Sequence, residues 1–265
     1  MSDLDRRLPI SAVIIAKNAA ERIAAVLASV DMCAERLVLD SGSTDATVSM
    51  ARQAGARVEH QPFLGFGPQK RQAVALARYD WILSLDADEV LDDGARVACA
   101  ALDLTDPTRC WKIRRRTFVG DREVRHGCWR GESVVRLFNR TTANFKPLIV
   151  HEEVEAGRTA APLAGSILHY SFADCRDVLA RSLRYAPLKA RVMQESGEPI
   201  RGWAIPLRGL AAFAKSYLVR GGWRDGPAGF VIAVSRVVDS TLPRALVLTG
   251  AVPPAPADVP PGDSA

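Results

Sequence analysis

Residues 10–16 (I-S-A-V-I-I-A) form a β-branched apolar run, and the period then changes: after Lys17-Asn18, the apolar residues Ile23, Val26, Leu27 and Val30 recur on one helical face. The alternation repeats down the chain. Residues 36–40 (R-L-V-L-D) predict a second strand ending in an acid. Ser41-Gly42-Ser43 supplies a turn, with Ser43 or Thr44 as helix N-cap and Asp45 in the first helical turn. Val48, Met50, Ala51 and Ala54 carry that helix to a C-cap at Gly55. Arg57–His60 reads as a short third strand and residues 65–68 (G-F-G-P) as a loop. Pro68 or Gln69 then opens a helix through Val74 and Leu76 to a fourth strand at 81–85 (W-I-L-S-L). A βαβαβαβ order predicts an α/β fold with a mostly parallel central sheet, right-handed crossovers and flanking helices.

After Asp106-Pro107 the pattern shifts to short extended pieces at 110–117, 133–139 and 167–170, expected as a mixed edge of the sheet. From Asp174 onward it is helical, with Leu210, Phe213, Ala214, Tyr217 and Leu218 spaced along one stripe. The expected organisation is a first domain over 1–172, in halves 9–106 and 107–172, and a helical region over 173–251. Residues 252–265 hold five prolines and no aromatic residue, which predicts a disordered tail.

Composition narrows the class. The 265 residues are 48% hydrophobic and 25% charged, as in an ordinary globular chain. Five scattered cysteines without a C-x-x-C pair argue against a disulfide framework or a zinc site and fit a reducing cytosol. The N-terminus lacks the apolar core of a secretory signal, and no run approaches the ~20 apolar residues needed to span a bilayer. A cytoplasmic protein, soluble or peripheral on a membrane, is expected. Net charge is +5, and its placement matters more: residues 112–140 carry nine basic residues against three acids, and residues 176–224 carry ten against three. Such a field attracts phosphorylated ligands or anionic membrane surfaces. A nucleic-acid partner is not expected, because aromatic residues are only 6% and no recognition module is present.

Three segments converge where strands of such a sheet end and ligands collect: Lys17-Asn18, residues 40–45 (D-S-G-S-T-D) and residues 86–89 (D-A-D-E). No G-x-G-x-x-G follows the first strand and no G-x-x-x-x-G-K-[ST] occurs, so neither a dinucleotide fingerprint nor a P-loop is present. What remains is a nucleotide site built from carboxylates, which accept hydrogen bonds from a base or ribose and hold a cation against a diphosphate.

Together with G-F-G-P-Q-K (65–70), W-I-L-S-L-D-A-D-E (81–89), R-L-F-N-R (136–140) and V-H-E-E-V (150–154), these segments resemble the family 2 inverting glycosyltransferases of the GT-A fold. The likeness runs from Ile10 to roughly Phe172 and is closer to the branch that includes the lipopolysaccharide-core β-1,4-glucosyltransferases. It implies a UDP-sugar donor, a hexose such as glucose, and a glycan or glycolipid acceptor in cell-envelope or lipopolysaccharide-core synthesis. Asp40 would contact the uracil, Asp86 the ribose or the metal shell, and Lys70 the phosphates or ribose. Ala16, Asn18 and Ala87 would line the nucleotide-sugar. Asp88 would be the direct ligand of Mg²⁺ or Mn²⁺. Relatives often have Asn where this chain has Arg71, which leaves that position without an assigned role. For Asp40 and Asp45 the alternative is simple capping of the following helix.

Inverting transfer also needs a base on the face opposite the departing UDP. Glu152 and Glu153 are the candidates, and the resemblance favours Glu152, with His151 orienting the loop or binding phosphate. Glu153, Trp129 and Arg136 are expected at the acceptor, Trp129 as a stacking platform or else a core residue, and Arg136 with Arg130 and Arg140 as readers of an anionic group. His169 faces the metal or diphosphate, or is a buried core histidine. The C-terminal amphipathic helix either rests on an anionic membrane surface or packs against the catalytic domain. A fold-sharing binding protein that has lost its base is the alternative function. A nucleotidyltransferase is disfavoured for want of a Gly-rich loop after the first strand.

Overall fold

The computed structural model describes residues 7–146, 153–157, 159–197 and 199–252. Its strands are β1 (Leu8–Ala16), β2 (Cys33–Asp40), β3 (Arg57–His60), β4 (Trp81–Asp86), β5 (Glu89–Leu91), β6 (Cys110–Val119), β7 (Arg122–Val124), β8 (Ser133–Asn139), β9 (Ala143–Phe145), β10 (Val154–Ala156) and β11 (Ala161–Phe172). Its helices are α1 (Ile23–Ser29), α2 (Thr47–Gln53), α3 (Phe66–Leu76), α4 (Asp93–Ala100), α5 (Cys175–Glu195), α6 (Ala204–Ala214) and α7 (Gly226–Leu248). The predicted alternation through β4 is present, within a GT-A-like fold that has a mixed central sheet, flanking helices and a helical C-terminal region. The Pro-rich stretch from residue 253 lies outside the described residues.

The chain divides into two compact units. Among the described residues, one holds those up to Arg115 together with Glu132–His169, and the other holds Arg116–Gly131 together with those from Tyr170 onward. The sheet order is β3-β2-β1-β4-β8-β6-β11-β5. β2, β1 and β4 run parallel with β3, while β8 returns antiparallel against β4 and β5 pairs antiparallel with β11. Side chains alternate along β1, so Ile10, Ala12 and Ile14 pack with α1 on one face, and Val13 and Ile15 pack with α3 on the other. A strand buried on both faces has no polar side to show, which is why these runs read as unbroken apolar segments.

Two elements differ from expectation for local reasons. Helix α3 begins at Phe66, before Pro68, because Gly65 takes φ 99 as its N-cap and the first-turn N–H groups need no helical partner. Helix α4, absent from the sequence reading, is capped by Asp92, whose side chain accepts from the N–H groups of Ala95 (2.8 Å) and Ser166 (2.9 Å). There β11 passes so close that a Cβ on Gly165 would lie 1.9 Å from Ala95 N.

In the second unit, α5 and α7 are joined by Lys189 and Asp239 (2.9 Å). A short π-helical turn, Lys215–Val219, continues α6. The apolar stripe anticipated there splits: Phe213 and Tyr217 contact the Phe230 ring, whereas Leu210 and Leu218 stay exposed. Among the described residues no helix is long and apolar enough to cross a membrane.

Candidate active site

Strand register sets the site. Ala16 at the end of β1 pairs with Asp40 at the end of β2, and Ile15 pairs with Asp86 at the end of β4, so two acids distant in sequence finish on one sheet edge. That edge flanks β1, where the connections depart in opposite directions and ligands of open α/β sheets bind.

The first two loops are stitched together. Asn18, in the left-handed region at φ 53, accepts the Thr44 N–H on Oδ1 (2.8 Å), and its own N–H donates to Ser43 Oγ (2.9 Å). Asp40, 4% exposed, accepts the N–H groups of Gly42 (2.9 Å) and Ser43 (3.0 Å) and the Ser43 hydroxyl (2.5 Å), closing its own turn. With Ser43 held by Asp40 and Thr44 by Asn18, neither caps α2. The N-cap is Ala46, without a side-chain cap, and Asp45 before it accepts the Thr47 N–H (2.9 Å) and ties down the Ala20 N–H (3.1 Å). Ala16 is buried, and its carbonyl accepts the Ser41 N–H (2.8 Å). Gln69, fully buried, donates to Ser41 Oγ (3.0 Å) and to the Gln61 carbonyl (3.1 Å), which fixes α3 against the same loops.

The D-A-D-E corner is a buried charge network. Lys70, 1% exposed, sets Nζ 2.7 Å from Asp86 Oδ1. Arg136 Nη2 donates to Asp86 Oδ2 (2.9 Å) and to Glu89 Oε1 (2.7 Å). Glu89 is fully buried, accepts the Asp86 N–H on Oε2 (3.1 Å), and has Arg115 Nη1 at 3.6 Å. Burial alone would raise the pKa of Asp86. The charges of Lys70 and Arg136, the Lys70 hydrogen bond and the nearby His169 outweigh it and hold the carboxyl well below the usual carboxylate range.

Asp88 is treated differently by its surroundings. Its Oδ2 lies 3.3 Å from His169 Nε2, which the β5–β11 register brings beside the corner by pairing His169 with Glu89. Its Oδ1 is buried, with no hydrogen-bond partner among the described residues. A buried acceptor left without a donor costs about 1–3 kcal/mol, so this oxygen suits a bound cation. No cluster of three or more His, Cys, Asp or Glu side chains forms a metal cage among the described residues. A divalent cation therefore fits here only with further oxygen ligands from a diphosphate and water, the coordination that Mg²⁺ favours.

The remaining candidates fall at several places. Arg136 is 4% exposed and turned toward Asp86 and Glu89, away from solvent. Arg140 is committed to Asp80 (2.9 Å) and the Ala77 carbonyl (2.6 Å). Trp129, in the second unit, stacks on Phe172 with centroids 4.7 Å apart, and Arg130 is exposed. Ala87 is buried in the turn between Asp86 and Asp88. Glu153 is exposed and pairs with Lys146 (2.6 Å). His151 and Glu152 lie outside the described residues. Arg71 acquires a position: its Nη1 donates to the Phe145 carbonyl of β9 (2.6 Å), and the neighbouring Lys70 ammonium lies 5.5 Å from the Phe145 ring. Sequence reasoning missed the parts played by Glu89, Arg115 and Gln69. Only Glu89 carried a signal, as the fourth residue of D-A-D-E.

The model of glycosyl transferase family 2 matches residues 11–152, more than half of the chain and the part that carries these loops. The chain belongs to glycosyl transferase family 2. This glycosyltransferase is 29% identical over 249 residues to the lipopolysaccharide core biosynthesis glycosyltransferase LpsC of Rhizobium meliloti (strain 1021), covering 91% of this chain and 92% of that one. It is 28% identical over 235 residues to an uncharacterized glycosyltransferase of Rickettsia felis, covering 84% and 83% respectively. Among solved structures, the glucosyl-3-phosphoglycerate synthase of Mycobacterium tuberculosis in complex with Mn²⁺, UDP and glucosyl-3-phosphoglycerate shares 27% identity at a TM-score of 0.32, over 42% of this chain and 44% of that one. Family membership does not depend on that partial likeness.

Proposed function

We propose that this glycosyltransferase moves a hexose, glucose being the first candidate, from a UDP-sugar to a hydroxyl of a glycan or glycolipid acceptor in lipopolysaccharide-core or related cell-envelope synthesis. Transfer is a single displacement with inversion. The observation that carries the donor half is Asp88, with one carboxylate oxygen buried without a donor among the described residues and the other beside His169, on the sheet edge that also holds Asp40 and Asp86. The relation to the Rhizobium core glycosyltransferase over nearly the full length of both chains supports the acceptor half.

In this reading Asp88, with His169 beside it, holds the divalent cation. When bound, the cation supplies positive charge to the leaving diphosphate. Asp86 has both oxygens engaged by Lys70 and Arg136, so it serves the ribose side while those cations keep it ionised. Asp40 and Asn18 shape the nucleotide pocket through the loop they hold closed. Glu152 accepts the proton of the attacking hydroxyl on the opposite face of the sugar, and His151 and Glu153 flank it. The acceptor is lipid-linked, which places the enzyme loosely on the inner face of the cytoplasmic membrane.

A panel of UDP- and GDP-sugars, scored by thermal shift and by sugar release with and without Mg²⁺ or Mn²⁺, tests the donor half. UDP should stabilise the chain only with the cation, and Asp88→Ala should remove that stabilisation. Stabilisation that needs no cation and survives Asp88→Ala would sink the metal assignment. Glu152→Gln should abolish transfer while UDP still binds, and unchanged turnover would remove Glu152 from the reaction.

A further inference from the structure

The C-terminal unit carries a surface that the chemistry of sugar transfer does not use. Thirteen large apolar side chains are exposed among the described residues, and seven of them fall between Trp203 and Phe230. Trp203, Leu207 and Leu210 stand at i, i+4 and i+7, which puts them on one helical face, and with Leu218 in the following π turn they are 58–68% exposed. That face looks away from the helix's packing partner. Gly209 is the point of closest approach to α7, where a Cβ would come within 2.9 Å of Thr241 and 3.1 Å of Val237. The exposed stripe begins on the residue before α6 and lies on its other flank.

Charge separates this surface from an ordinary sticky patch. Residues 199–224 contain Arg201, Arg208, Lys215, Arg220 and Arg224 and not one acid. The next acid, Asp225, is turned inward, accepting the N–H groups of Arg125 (3.3 Å) and His126 (2.8 Å). Trp203 and Trp223, both exposed, stand near the two ends of the segment.

We infer that α6 and the π turn after it form an interfacial docking face for an anionic lipid surface. Leu207, Leu210 and Leu218 enter the acyl boundary, the tryptophans sit at headgroup level, and the cations meet lipid phosphates. Among the described residues no helix is long and apolar enough to cross a bilayer, so in this proposal the segment lies in the interface plane. A second copy fits less well, because a two-fold contact would set this basic segment against itself. The inference rests on the membrane attachment proposed above and names the surface responsible.

The test is co-sedimentation of the full chain with vesicles of phosphatidylcholine, alone or mixed with phosphatidylglycerol, at low and high salt, with cation-dependent UDP stabilisation followed in parallel. The wild type should sediment with the anionic vesicles at low salt and be released by high salt. Leu207→Glu with Leu210→Glu should weaken partitioning about tenfold or more while leaving the UDP-induced shift intact. Arg208→Ser with Lys215→Ser should flatten the salt dependence. A wild type that ignores anionic vesicles overturns the attachment. Wild-type binding matched by the double glutamate variant leaves attachment standing and overturns this face. A dimer that the glutamate variant converts to monomer, with no vesicle binding by either, assigns the face to a second copy instead.

Discussion

Replacing Arg136 by methionine separates a positioning role from an acceptor-reading one. The guanidinium bridges Asp86 (2.9 Å) and Glu89 (2.7 Å) at 4% exposure, and methionine fills similar volume without the charge. Breaking a buried ion pair by removing one partner costs about 3–5 kcal/mol, because the surviving charge stays desolvated. Asp86 would keep Lys70 at 2.7 Å, and Glu89 would keep the Asp86 N–H and the more distant Arg115, so the lower end, about 3 kcal/mol, is expected. Urea unfolding followed by tryptophan fluorescence measures it. Asp86 has a folded pKa depressed below its unfolded value, so its contribution is complete above the unfolded pKa of about 3.9 and is lost as pH falls toward the folded one. The variant depresses that pKa less, and the stability gap between variant and wild type should narrow as pH drops below about 4. Adding Glu89→Gln should recover part of the loss, giving a double-mutant coupling of about 1 kcal/mol or more, since both changes act on one network. Cation-dependent UDP affinity should fall with stability. A variant as stable as the wild type, with normal UDP binding and only a raised acceptor KM, would refute the buried role and return Arg136 to the acceptor.

Two further substitutions probe the scaffold. Gly165→Ala places a methyl 1.9 Å from Ala95 N and 2.5 Å from Gly94 C at a residue with φ +83; strain and overpacking together should cost about 3 kcal/mol or more, and a wild-type melting temperature would show that α4 does not approach β11 this closely. Glu35→Gln acts at the opposite edge of the sheet, where burial would raise the Glu35 pKa but hydrogen bonds from Ser11, the Arg78 N–H and Arg57 outweigh it and lower it. That contribution is full above the unfolded pKa of about 4.3 and disappears as pH falls toward the folded value, so the urea midpoints of wild type and variant should differ at pH 7 and converge in acid; a gap that widens in acid would contradict the assignment.

The parts of this site that were legible in the sequence are those fixed by local rules. Runs buried on both faces marked β1, β2 and β4, the last two ending in acids, and a parallel winding then required Asp40 and Asp86 to share an edge. What was not legible depends on pairings across long separations. Arg136 looked like an exposed reader of acceptor phosphate because R-L-F-N-R alternates as any half-buried strand does. Only the antiparallel register of β8 on β4, with Leu137 opposite Leu83, brings its guanidinium to Asp86. His169 likewise becomes a partner of Asp88 only through the pairing of β11 with β5, a three-residue strand too short to show a period. Both cases follow one physical rule. A lone carboxylate at a strand end is readable as a site, but whether it can serve as ligand or buttress depends on which cations the elements packed around it deliver. Asp86 receives two and is saturated. Among the described residues Asp88 meets a histidine on one oxygen and no donor on the other; Arg136 and His169 arrive on β8 and β11 and Lys70 on α3, and in the proposed mechanism that difference divides the labour between two acids that the sequence presents as near equals.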